Sequence, residues 1–130
     1  MQQGQQLNQE SLAQIRGDWY KAYFAADLDY LLKVEAKGFT YISVLGIEDT
    51  CQRYKLIQER VDSDSWFPSE AHREDLSASY QFLGSHCYVT GEGRIHANAN
   101  AAHNRYFSEV WSFGDSGWQI LSLHASVVPA

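Results

Sequence analysis

The sequence predicts an α+β protein, and three observations carry that prediction. Apolar residues recur at helical spacing through roughly the first sixty positions, strand-forming runs separated by turn signals fill the rest, and no repeat or linker divides the two. Apolar residues make up 45% of the 130 and charged residues 20%, a balance that supports a packed core. The length suits one domain, so residues 1–130 are read as a single unit.

Leu12, Ile15, Trp19, Ala22, Tyr23 and Ala26 step along the chain by threes and fours and predict a helix from about Leu7 to Ala26. Gly17 inside it costs on the order of 1 kcal/mol relative to alanine, which points to a close packing contact. Asp27 is placed to cap a second, short helix carrying Leu28, Leu31 and Leu32, and Lys37-Gly38 reads as its break. Phe39-Thr-Tyr-Ile-Ser-Val44 is rich in strand formers and is expected to end at Gly46. Asp49-Thr-Cys-Gln52 has the pattern of a capping box, opening a third helix to about Val61 with Cys51, Tyr54, Ile57 and Val61 buried. Asp62 to Glu70 reads as a loop holding Trp66-Phe67-Pro68, either anchored on the body or placed at a pocket mouth. Strands are expected near 71–83, 86–97, 104–114 and 118–127, separated by Gly84-Ser85, Asn98 to Ala102 and Gly114 to Gly117.

Composition excludes several functions. Ten basic against sixteen acidic residues give a net charge of −6, with no basic stripe to neutralise phosphates, so no nucleic-acid partner is expected. No apolar run approaches the roughly 20 residues that span a bilayer, and no membrane partner is expected. Met1 to Gln6 is glutamine-rich and lacks the pattern of an export signal, so the expected location is cytoplasmic. Cys51 and Cys87 form no paired motif and are read as reduced, small buried residues. His72, His86, His96, His103 and His124 fall at no helical metal spacing; the first four are read as surface residues, and neither metal nor organic cofactor is expected. Eight Tyr, six Phe and four Trp suit either a core of large rings or an aromatic-lined cavity.

The order of elements resembles the nuclear transport factor 2-like superfamily, the cone-shaped, cystatin-like fold of ketosteroid isomerase, scytalone dehydratase, polyketide cyclases and the kinase association domain. The residues that carry the resemblance are Trp19 with Asp27-Leu-Asp29, Phe39-Thr-Tyr-Ile-Ser43, and the closing hairpin Val110-Trp-Ser-Phe-Gly-Asp-Ser-Gly-Trp118 followed by Leu123-His-Ala-Ser126. The chain looks most like the uncharacterised bacterial branch of that superfamily. The resemblance implies a curved antiparallel sheet of four to six strands packed on three N-terminal helices, and a homodimer formed through the convex sheet face. Counted from Asp27, the isomerase's oxyanion-holding tyrosine falls on Trp19 and its proton-abstracting carboxylate on Ser43, and neither can do that work. The second carboxyl of its oxyanion hole falls on Glu109.

If Phe113 pairs with Trp118 across an even-length turn, Arg105, Phe107, Glu109 and Trp111 share a face with Trp118, Ile120, Ser122, His124 and Ser126. The resemblance turns the Glu109 face toward the cavity. Glu109 and His124 are then the candidate acid and base, with Arg105 beside them and Tyr41 as a hydrogen-bond donor. The competing reading is a same-face Glu109–Arg105 ion pair and a structural histidine. Trp19, Tyr23, Phe39, Tyr41, Ser43, Trp66, Arg105, Trp111 and Ser122 are the expected pocket lining, though several of these rings would serve equally as core. Tyr106, Val110, Leu121, Leu123 and Val127 would form the other, dimerising face.

Three functions stay open on this reading. One is a pocket for a small organic ligand, mostly apolar with one polar end. Another is a cofactor-free isomerase, dehydratase or cyclase using Glu109 and His124. The third is a dimerisation module.

Overall fold

A computed structural model describes residues 5–129; the glutamine-rich start from Met1 to Gly4 lies outside the described residues. The chain runs α1 (Gln9–Phe24), α2 (Leu28–Val34), β1 (Glu35–Ser43), β2 (Gly46–Asp49), α3 (Thr50–Asp62), β3 (His72–Leu83), β4 (His86–Asn98), β5 (Ala101–Gly114) and β6 (Gly117–Val127). The strands form one curved, unclosed sheet in the order β2-β1-β6-β5-β4-β3.

Local signals set most of these boundaries. Asn8 caps α1 through Ser11, and Asp27 caps α2 through Tyr30. Asp49 and Gln52 make the reciprocal capping box that their spacing predicts. The stripe along α1 buries Leu12, Ile15, Trp19 and Ala22 against Leu31 and Val34 of α2, Phe39 of β1 and the inward residues of β4 to β6. Those inward residues are Cys87, Val89, Phe107, Trp111, Trp118, Ile120 and Leu123.

Several expectations need correction. The sheet is mixed, because β1 lies parallel to β6 while every other pairing is antiparallel. Lys37-Gly38 is not what ends α2, which stops at Val34: Gly38 sits inside β1 at a φ of 87°, where the pairing with β6 changes register between Glu35 and Thr40. Gly46 does not end a strand either. It opens β2, which returns antiparallel on β1 across Val44-Leu45. Helix α3 buries Ile57 and packs a half-buried Tyr54 on the core as expected, but it also buries Arg53, while Cys51 and Val61 are exposed. A Cβ on Gly17 would meet nothing within 4 Å, so the expected packing contact is absent.

The largest correction concerns the last hairpin. Phe113 does face Trp118, and Trp111 faces Ile120, as the even turn requires. Between Trp111 and Val110 the register slips by one residue, with Leu121 as the extra residue on β6. Beyond that bulge Glu109 pairs with Leu123, while His124 pairs with Ser108 and Ser122 with Val110. Leu123 is therefore turned into the core, and His124 is exposed on the outer face.

Candidate functional site

Two buried carboxylates organise the interior between α1 and the sheet. Glu109 is fully buried, and each of its oxygens accepts two hydrogen bonds. Oε1 accepts from Arg16 Nε at 2.6 Å and Trp111 Nε1 at 2.7 Å; Oε2 accepts from Arg16 Nη2 at 2.9 Å and the Tyr20 hydroxyl at 2.5 Å. The guanidinium continues outward. Arg16 Nη1 donates to Asp75 Oδ2 at 2.7 Å and Tyr80 at 2.9 Å, Nη2 reaches Asp75 Oδ1 at 3.2 Å, and Arg73 Nη1 donates to the same Oδ1 at 2.7 Å. All five Arg16 donors are engaged, and four bonds fill the acceptor sites of the carboxylate.

A second node lies beside it. Glu35 Oε1 accepts from Arg53 Nη1 at 2.8 Å and from the Tyr54 hydroxyl at 3.0 Å, and its Oε2 accepts from Trp19 Nε1 at 3.0 Å. Unpaired charges at such depth would be strongly unfavourable, so each guanidinium and its carboxylate are there for one another.

Burial would lower the Arg16 pKa, but the hydrogen bonds and charges of Glu109 and Asp75 outweigh it and hold the guanidinium more firmly charged. Burial likewise raises the Asp75 carboxyl, yet the bonds from Arg16 and Arg73 win and hold it below the usual range. The Tyr20 hydroxyl is pushed well up by burial and by the Glu109 charge. Burial pushes the Tyr23 hydroxyl up to about 12 and raises that of Tyr41.

Above the two nodes lies a cavity of about 140 Å³, walled by Trp19, Tyr20, Tyr23, Tyr41, Trp66, Phe67 and Phe107, with Arg53, Arg73 and Arg105 among its lining. On the other side of Tyr20 and Arg73 a wider cleft of about 1020 Å³ runs between α1, the 60s loop and the start of β3. Trp66 and Phe67 border both. Their loop is anchored, since Trp66 Nε1 donates to the Phe24 carbonyl at 2.9 Å and its ring meets Tyr23 edge-on at 5.2 Å.

Arg73 stands in the wall between cavity and cleft, and its side chain is 8% exposed. The guanidinium lies 4.0 Å over the Tyr20 ring and 4.7 Å over that of Phe107. Its Nη2 is buried and has no hydrogen-bond partner among the described residues. Beneath it the chain has Gly93, where a Cβ would come within 2.4 Å of that nitrogen.

The expected residues divide accordingly. Trp19, Tyr23, Tyr41, Trp66 and Arg105 line the cavity. Phe39 and Trp111 are buried core residues instead, and Ser43 lies at the end of β1, outside the lining. Ser122 and His124 point away because of the bulge at Leu121, so the Glu109–His124 pair does not form. Glu109 takes Arg16, not Arg105, as its ion-pair partner. Missed altogether were Arg16, Glu35, Arg53 and Arg73, charged residues that lie inward among apolar neighbours.

Three helices on a curved, open six-stranded sheet define the nuclear transport factor 2-like, cystatin-like fold, and the chain has it. Among solved structures it is similar to the CaMKII hub of S. rosetta, with a TM-score of 0.76 and 16% identity over 92% of this chain and 95% of that one. An NTF2-like protein from Cytophaga hutchinsonii superposes at a TM-score of 0.73 and 10% identity, covering 93% and 99% of the two chains. A putative ketosteroid isomerase from Parabacteroides distasonis gives 0.71 and 14%, covering 92% and 86%. No protein-family model matches the chain, and no curated protein matches it in sequence.

Proposed function

We propose that the chain is a small-molecule-binding domain, whose ligand is mostly apolar with one polar end held by Arg73. The observation that carries this reading is the unpartnered, buried Arg73 Nη2 in the wall of an aromatic cavity. A buried donor left without an acceptor costs about 1–3 kcal/mol, more when charged, and a turn of the guanidinium toward a ligand oxygen in the cavity would recover that. The aromatic walls supply the apolar contact area. Enzymatic acid–base chemistry by Glu109 finds no support, because every acceptor site of that carboxylate is already filled.

The test uses two probes that share a phenyl ring and a two-carbon chain and differ by the carbonyl oxygen, acetophenone and ethylbenzene, with tryptophan fluorescence as the readout because Trp19 and Trp66 line the cavity. Acetophenone is expected to bind saturably and about tenfold tighter, the equivalent of about 1.4 kcal/mol for one hydrogen bond from a charged donor. Arg73→Met should erase that preference and leave the ethylbenzene affinity in place. No saturable quenching by either probe would overturn the pocket reading.

A second reading, self-association through the outer sheet face, draws support from Tyr88 and Tyr106, 38% and 48% exposed there, and from the fold shared with CaMKII hubs.

A further inference from the structure

Register brings together three side chains that the sequence keeps far apart. His72 of β3 pairs directly with His96 of β4, and Glu74 follows two residues after His72 on the same face. The two imidazoles stack with centroids 4.5 Å apart and planes 14° from parallel. His96 Nε2 lies 2.6 Å from Glu74 Oε2, and one donor atom from each of the three residues falls within 4.8 Å of the others.

We propose that His72, His96 and Glu74 bind one divalent transition ion of the zinc type. Two imidazole nitrogens and a carboxylate oxygen are a donor set that favours zinc, copper or nickel over calcium or magnesium, which take oxygen ligands. Around a tetrahedral zinc, with Zn–N near 2.0–2.1 Å, ligand atoms stand about 3.3 Å apart. An imidazole lone pair lies in its ring plane, so one of the two near-parallel rings must turn out of the stack before both can meet a single ion, and the exposure of His72 and Glu74 leaves room for that movement. His72 already holds a suitable tautomer. Its Nδ1 lies 2.9 Å from the Glu70 carbonyl, which can only accept, so Nδ1 carries the proton and Nε2 keeps its lone pair. The ion would displace the proton shared between His96 and Glu74.

Neighbouring charge is mixed. Arg94 faces Glu74 across the strands but turns its Nε to Asn104 Oδ1 at 2.8 Å. Three protein donors leave a tetrahedral ion one position for water. Alternation along β3 and β4 puts these three side chains on the sheet face opposite Arg73 and Ile95, so the ion would stand on the outer face at the start of β3. The sequence expectation of no metal overlooked this grouping because residues 72 and 96 become neighbours only through strand pairing.

Calorimetric titration of the full chain with zinc chloride tests the proposal. One equivalent is expected to bind, with His72→Ala and His96→Ala each weakening binding at least about tenfold. His103→Ala, a histidine on the neighbouring strand β5, should leave the isotherm unchanged. Calcium and magnesium should give no heat, and circular dichroism would show that the variants keep their fold. No zinc uptake, uptake indifferent to both ligand variants, or equal uptake of calcium would each overturn the proposal.

Discussion

Arg16 illustrates how a charged residue can be both buried and legible. It lies four residues after Leu12 and three before Trp19, in the middle of the apolar stripe of α1. An arginine at such a position is excluded from most core lists because charged residues are rarely fully buried without a partner. The stripe itself was the signal that the sequence must supply that partner elsewhere. Glu109 reads from the sequence as a polar interior residue with a same-strand partner in Arg105, whereas the fold pairs it with Arg16 from α1. Asp75 completes this network, and its depressed pKa makes a pH prediction. A carboxylate stabilised in the folded state contributes in full above its unfolded value, near about 4, and that contribution is lost as pH falls through the folded-state value. Denaturant midpoints should therefore drop below about pH 4, and Asp75→Asn should flatten that part of the profile while lowering stability at neutral pH. An unchanged acid limb in the variant would remove Asp75 from the network's energetics.

Elements were read well wherever a local device marks them. Asp27 and the Asp49–Gln52 box fixed two helix starts, and β3 to β6 fell close to their predicted limits because turns punctuate them. Strand β2 was missed because a four-residue strand that exposes Ile47 has no inward pattern to read. Most consequential was the bulge at Leu121. One unpaired residue carries no compositional mark, yet it reverses the facing of everything after it and moved His124 out of the interior. Helix α1 offers a cleaner test of local reasoning. Gly17 sits in the helix interior with open space where a Cβ would go, so it costs stability without serving packing. Gly17→Ala should raise unfolding stability by about 1 kcal/mol in urea denaturation. A loss of stability would mean that the residue is held for a contact the free chain does not show.

The molecule as a whole presents a sheet with two different faces. Toward the helices lie the ion-pair nodes and the aromatic cavity; outward lie Tyr88, Tyr106 and Val110 among Ser108, Ser122, His124 and Ser126. The outer face is more polar than the alternation of the sequence suggested, because the bulge turned Leu123 inward and brought serines and His124 out. The proposed pairing of two copies would use the tyrosine rings that stay exposed there. Sedimentation equilibrium at tens of micromolar is expected to give a dimer, and Tyr106→Arg, by placing a charge on the exposed ring's position, is expected to give a monomer. A monomeric parent chain would leave the outer face an ordinary surface. The α+β class followed from patterning and the curved sheet from the family resemblance, whereas the pairing of distant charges required knowing which strands meet.

Gly93 belongs to neither lining, yet it sets where the Arg73 charge rests. A methyl group there would meet the movable tip of an arginine and push it, with the aromatic walls left as they are. The ligand preference of such a domain is therefore adjustable from behind the wall by a single carbon. Chains descended from a common ancestor could diverge in what they recognise while every residue facing the cavity stayed the same.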